Sequence, residues 1–96
     1  MQKLEIVFDE ALEPQILMLL RQNGLEHYTR FDSVKGVGGA GAKFDTAVGP
    51  GVNRVVFCVV DDDKVPGFTR AFKRFKDVQG EHAGATLIVS TVSEFL

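Results

Sequence analysis

The chain contains one cysteine, Cys58. That excludes an internal disulfide framework and any zinc site built from several cysteines. With so little cysteine, a reducing, cytoplasmic location is the default expectation. Charge of one sign is also lacking: 11 Lys and Arg stand against 13 Asp and Glu, a net charge of −2. No global attraction draws such a chain to nucleic acid or anionic lipid. Long apolar runs are missing too. Ile16–Leu20 and Val55–Val60 fall far short of the roughly 20 residues a membrane span needs. The opening MQKLEIVFDE has neither an uninterrupted apolar stretch nor a small-residue cleavage site, so no signal peptide is expected.

What is present is the composition of a soluble globular domain, 45% hydrophobic and 25% charged. At 96 residues there is room for one core, and residues 1–96 read as a single domain. Leu4–Phe8 is a short run of strand formers. Pro14 suits a helix's first turn and Asn23-Gly24 its end. Ile16, Leu19, Leu20 and Asn23 fall on one side, which predicts a helix over about 14–23. Glu26–Val34 mixes charge with β-branched and aromatic residues and reads as a strand near a sheet edge. Arg54–Val60 (RVVFCVV) is the clearest strand. Asp61-Asp62-Asp63 then offers N-caps to a second helix, which Pro66 opens and along which Phe68, Phe72 and Phe75 recur at helical spacing. Gln79-Gly80 ends it, and Thr86–Val92 is a last strand. The order β-α-β-loop-β-α-β is that of a ferredoxin-like split βαβ. This α+β fold has a four-stranded antiparallel sheet in the order fourth–first–third–second, with both helices on one face.

The central strands do not alternate as a half-solvated sheet should. Val55, Phe57 and Val59 oppose Val56, Cys58 and Val60; Ile88 and Val92 oppose Leu87 and Val89. Burying one such side chain contributes about 1.5–3 kcal/mol. Leaving Val7, Val56, Val60 and one side of the last strand in water would forfeit several of these terms. The expectation is a homo-oligomer whose subunits cover each other's open sheet faces.

Lys35–Asn53 holds six of the ten glycines and spells G-x-G-x-x-G at Gly36, Gly38 and Gly41. A dinucleotide fingerprint must open a helix, and Gly49-Pro50-Gly51 leaves no space for one. The match is therefore fortuitous. A connection this long is instead a contact arm, with a charged and aromatic tip at Lys43, Phe44 and Asp45. Of the remaining polar clusters, Asp61-Asp62-Asp63 caps rather than binds a cation. Arg70, Lys73, Arg74 and Lys76 read as the wet side of the second helix, and His27, Cys58 and His82 are isolated in sequence.

Val34-Lys35-Gly36-Val37-Gly38 resembles the V-K-G-x-G with which P-II signal-transduction proteins leave their second strand and enter the T-loop. Element order, loop position and the run Val48-Gly49-Pro50-Gly51-Val52-Asn53 are similar to small P-II-like proteins with a shortened T-loop. The resemblance covers essentially the whole chain. It implies a cytoplasmic homotrimer, not an enzyme, of the kind used in nitrogen regulation. It also implies an adenine nucleotide or other small ligand in clefts between subunits, and a T-loop over 35–52 that contacts a target enzyme or membrane transporter. Carried over residue by residue, Lys35, Gly36, Val37 and Gly38 become candidates for nucleotide contact, and Gly39, Gly41, Lys43, Phe44 and Asp45 for the partner-binding loop. The pattern departs at Ala83-Gly84-Ala85-Thr86, which lacks the family's lysine. It departs again at Gly39, where the family has glutamine, and at Phe44, which has no hydroxyl to modify. The chain also ends at Leu96, without an arginine-bearing extension. A second reading is a metal-binding trimer similar to CutA-like cation-tolerance proteins, with His27, His82, Asp62 and Asp63 as ligands. A third, a small enzyme, finds no nucleophile–base pair.

Overall fold

The computed structural model describes residues 1–35, 37–38, 41–42, 52–80 and 84–96. Strand β1 spans Gln2–Asp9, followed by a short 3-10 turn over Glu10–Leu12 and helix α1 over Glu13–Gln22. Strand β2 is Thr29–Val34. The two-residue strands β3 (Val37–Gly38) and β4 (Gly41–Ala42) pair with each other, and β5 is Asn53–Val60. A second 3-10 turn (Asp62–Lys64) leads to α2 (Val65–Gln79), and β6 is Ala85–Thr91. The main sheet has four strands in the order β2-β5-β1-β6, all antiparallel. The ferredoxin-like fold and the strand order expected from the sequence are both observed, with β2 at an edge.

The helices form where sequence placed them. Pro14 and Pro66 occupy their first turns, where a missing N–H leaves no hydrogen bond unmade. The Asn23 side chain donates to the Leu19 carbonyl at 2.8 Å. Gly24 follows at φ +73°, a left-handed stop that glycine adopts without steric cost. α1 buries Ile16, Leu19 and Leu20; α2 buries Val65, Phe68, Ala71 and Phe72.

Register decides which side of each strand these helices cover. Leu4 pairs with Cys58 and Val89, Ile6 with Val56 and Leu87, and Phe8 with Arg54 and Ala85. Cross-strand partners share a face, so Leu4, Ile6, Phe8, Val56, Cys58 and Val60 form the core beneath the helices. This corrects one expectation. Val56 and Val60 are not on the uncovered side with Val7. Val7 pairs with Val55 and Glu5 with Phe57, so the open face carries Val7, Val55, Phe57, Val59 and Ile88.

A second correction concerns Asp61-Asp62-Asp63. Asp61 makes no side-chain cap, and α2 starts only after the 3-10 turn, behind Lys64, which also makes none. Asp62 instead lies 3.0 Å from the Met1 amine. Hydrogen bonding to that ammonium, and its charge, hold the Asp62 carboxyl below the usual aspartate range.

Phe8 is fully buried at the centre of this core. Replacing it with alanine removes a ring and leaves a cavity, which typically destabilises by about 3–5 kcal/mol. Urea denaturation of Phe8→Ala should show that loss as a lowered midpoint with a similar slope.

Candidate functional site

The loop begins and ends at one end of the sheet. Val34 and Asp9 flank Asn53 in the ladder. The Glu10 N–H donates to the Val52 carbonyl at 2.9 Å, and the Asp9 N–H donates to the Gly84 carbonyl at 2.8 Å. Both stems of the 35–52 loop and the turn before β6 therefore meet at the C-terminal end of β1. Lys35 stands exposed at the first stem. Inside the loop, Val37 pairs with Ala42 and Gly38 with Gly41, so three loop residues named from the sequence (Val37, Gly38 and Gly41) sit in one short ladder. Gly36, Gly39, Lys43, Phe44 and Asp45 lie outside the described residues, as does His82.

Beside the stems is a charged cluster that sequence reasoning missed. The Glu13 carboxylate accepts from Arg30 Nη1 at 2.8 Å and from Arg54 Nη1 at 2.5 Å. Arg30 Nε lies 3.0 Å from Asp32, and Arg54 also approaches Glu10 at 3.7 Å and Asp32 at 3.8 Å. Arg30 and Asp32 belong to β2, Arg54 to β5 and Glu13 to the first turn of α1. One carboxylate thus fastens both stems to the helix layer. The Glu13 side chain is only 18% exposed, so this pair is screened less than a surface ion pair. Its members are 17 and 41 positions apart in sequence, so no local motif announces them. Ser33, between these strands, has φ +57° at a bulge separating Phe31 from Val34. A side chain rarely takes this conformation, and the bulge re-aims the end of β2 as it enters the loop.

Asn53 is the one buried polar residue among the described residues, at 7% exposure. Its Oδ1 has no hydrogen-bond donor. An orphaned buried acceptor costs about 1–3 kcal/mol. By register it sits with Asp9 and Val55 on the face away from the helices, at the loop end of the apolar stripe. Along that stripe Phe31 stacks on Phe57 with centroids 5.9 Å apart. Lys3 Nζ lies 4.7 Å above the Phe57 ring. Phe31 and Ile88 remain 51% and 45% exposed.

Two cavities lie elsewhere. A furrow of about 820 Å³ separates α1 from α2; Pro14, Met18, Leu19, Ala71, Phe75 and Val78 form its apolar lining, and Gln15, Gln22, Asn23 and Arg74 its polar part. A smaller cavity, about 260 Å³, lies at the far end of the sheet between the α1–β2 connection and the end of β5, with Leu25, His27, Cys58, Val59 and Lys64 in its wall. Cys58 is buried, and burial pushes its thiol pKa up, so the nucleophilic thiolate is disfavoured. Among the described residues no three His, Cys, Asp or Glu side chains come together as a metal site would require. Asp62 is committed to the Met1 amine. No helix among the described residues is long and apolar enough to cross a membrane.

No protein-family model matches the chain, and no curated protein matches it. Solved structures do. CPII, a nitrogen regulatory PII-like protein from Thiomonas intermedia K12, bound to ADP, AMP and bicarbonate, superposes with a TM-score of 0.72 at 20% identity, over 92% of this chain and 81% of that one. Its complex with ADP, AMP and acetate gives 0.73 at 20% identity, over 93% and 82%. Its apo form gives 0.71 at 19% identity, over 92% and 84%. The chain therefore has the PII-like fold along almost its whole length, as the V-K-G-x-G resemblance implied.

Two outcomes are expected from this geometry. Glu13→Gln leaves two guanidinium groups without their shared carboxylate. For a partly buried pair that should destabilise the fold by about 1–3 kcal/mol and speed hydrogen exchange at the amides of Arg30, Asp32 and Arg54. Cys58 should react with a thiol reagent at neutral pH at least ~100-fold more slowly in the native protein than in urea, because the group is both buried and protonated.

Proposed function

We propose that this protein is a PII-like regulatory module rather than an enzyme. It works in the cytoplasm as a homotrimer, senses a small ligand in the clefts between subunits, and uses its 35–52 loop to contact a target enzyme or transporter. The observation that carries this reading is the whole-chain fold likeness to a nitrogen regulatory protein whose structures hold ADP, AMP and bicarbonate. The uncovered sheet face supports self-association. Phe31, Phe57, Val59 and Ile88 form an apolar stripe that no helix or strand among the described residues covers, and single soluble chains seldom leave such a stripe in water. The ligand class is an adenine nucleotide, with bicarbonate as a second small ligand. Lys35 and the backbone of Gly36, Val37 and Gly38 are the contacts at the loop base. Gly39, Gly41, Lys43, Phe44 and Asp45 serve the target. Four described carboxylates at that end of the sheet (Asp9, Glu10, Glu13 and Asp32) stand against Arg30, Lys35 and Arg54. A surplus of carboxylates repels phosphate, so a mono- or diphosphate is opposed less than a triphosphate.

The test combines mass and binding. Sedimentation at micromolar concentration should give a trimer. ADP or AMP should raise the melting temperature, since a ligand that binds only the native state stabilises it; bicarbonate should raise it further. Deleting residues 39–48 should abolish target capture while leaving trimer mass intact. A folded monomer, or no thermal shift with any of the three ligands at millimolar concentration, would count against the reading.

A further inference from the structure

The furrow between the helices pairs an apolar floor with cations left unpaired among the described residues. Its α2 side is Ala71, Arg74, Phe75 and Val78, spaced i, i+3, i+4 and i+7, which is one helical stripe. Its α1 side has Met18 and Leu19 at the centre, with Gln15 and Gln22 a turn to either side. Leu19 and Ala71 are buried, whereas Met18 and Val78 are 51% and 83% exposed. A lone exposed apolar side chain means little, but these two lie along a single trough. Arg74 lines that trough. Arg70 stands one turn before it, and Arg21 three residues after Met18, so both border lining positions. Among the described residues none of the three arginines has an ion-pair partner. The acids of the two helices do not offset them. Glu13 is held by Arg30 and Arg54, and Asp77 is the single acid of α2. The chain carries a net charge of −2, so the positive sign is local to this surface.

We propose that the α1–α2 furrow is a docking groove for an acidic amphipathic helix of another protein. That helix lays a row of apolar side chains between Met18 and Val78. Its carboxylates meet Arg70 and Arg74 on one side and Arg21 on the other. The trough runs from Pro14 to Asn23 along α1, about 13 Å at the helical rise, which matches about two and a half turns of a partner. A third helix in the valley between two is an ordinary way to bury an apolar stripe. Met18, with three rotatable bonds, adapts to the side chains it meets. Arginine favours carboxylates because its planar fork can bond both oxygens. Shape argues against a membrane, since a flat bilayer surface does not reach Leu19 and Ala71 at the floor. Sign argues against the same furrow on a second copy, since arginines would face arginines. The furrow lies on the helix side of the sheet and stays accessible when the opposite face is covered. The inference therefore does not depend on the assembly or the loop contacts proposed above.

The probe is a synthetic helical peptide of about 14 residues, a length at which isolated helices begin to hold. Leucines recur at i, i+3, i+4 and i+7, glutamates flank that row, and alanine fills the rest. A twin carries lysine for glutamate. Binding to the full chain is read by fluorescence anisotropy, and the melting temperature of every variant is recorded. The glutamate peptide should bind saturably, and its lysine twin at least ~10-fold more weakly, because like charges across an interface oppose binding. Met18→Glu and Val78→Glu replace exposed side chains and should leave the melting temperature nearly unchanged, yet each should weaken the glutamate peptide about 10-fold. Arg70→Glu combined with Arg74→Glu should reverse the preference, so that the lysine twin binds more tightly; a surface that is only sticky would not reverse. No saturable binding of the glutamate peptide at millimolar concentration, or equal affinity for both peptides, would overturn the inference. Binding that these variants leave intact would place the peptide elsewhere and overturn it too. Phosphatidylglycerol vesicles form the other arm. Recruitment to them that Val78→Glu abolishes, with no binding of the peptide, would assign the furrow to a membrane surface instead.

Discussion

Ile6 faces Val56 and Leu4 faces Cys58 across the two central strands, and the rest of the molecule depends on that register. A slip of one residue would turn Val55 and Phe57 toward the helices and expose Val56 and Cys58. Because β5 is apolar on both sides, hydrophobicity within it does not choose between the two settings. β1 does: Leu4, Ile6 and Phe8 alternate with Lys3, Glu5 and Asp9, interrupted only by Val7. Only one alignment puts the apolar side of β1 under Ile16, Phe68 and Phe72. Once β1 is placed, β5 must present its second apolar side outward.

That second side is partly sheltered and partly open. Phe31, stacked on Phe57, pairs with Val55 across the strands, and there Val55 is buried although it lies on the open face. Toward β6 the shelter ends, and Ile88 remains exposed. The same register brings the first residues of β5 between β1 and β2, where they form the floor of the loop end. The Glu13 carboxylate then clamps that end from the helix side. The stems of the 35–52 segment are thus anchored to the sheet and to the helix layer.

Much of this was legible in the chain itself. Pro14, Asn23-Gly24, Pro66 and Gly80 mark helix ends because backbone conformation at those residues is restricted or unusually free. RVVFCVV declares a strand, and V-K-G-x-G marks the position of the loop. The cluster of Glu13, Arg30, Asp32 and Arg54 was not legible, since charges drawn from separate elements show no period. Nor was the bulge at Ser33, because serine seldom takes the left-handed backbone found there. The Asp61-Asp62-Asp63 run misled, because acidic residues before a helix read as caps whether or not the chain aims them at its N–H groups.

The amino-acid sequence alone determined the elements, their order and the presence of more apolar surface than two helices can cover, because these follow from local backbone preference and from counting side chains. The tertiary structure alone decided which valines are covered, where Asn53 is buried without a donor, and which carboxylate holds both loop stems. Those are matters of pairing between distant segments. Register and packing set them through distances that no spacing along the chain encodes.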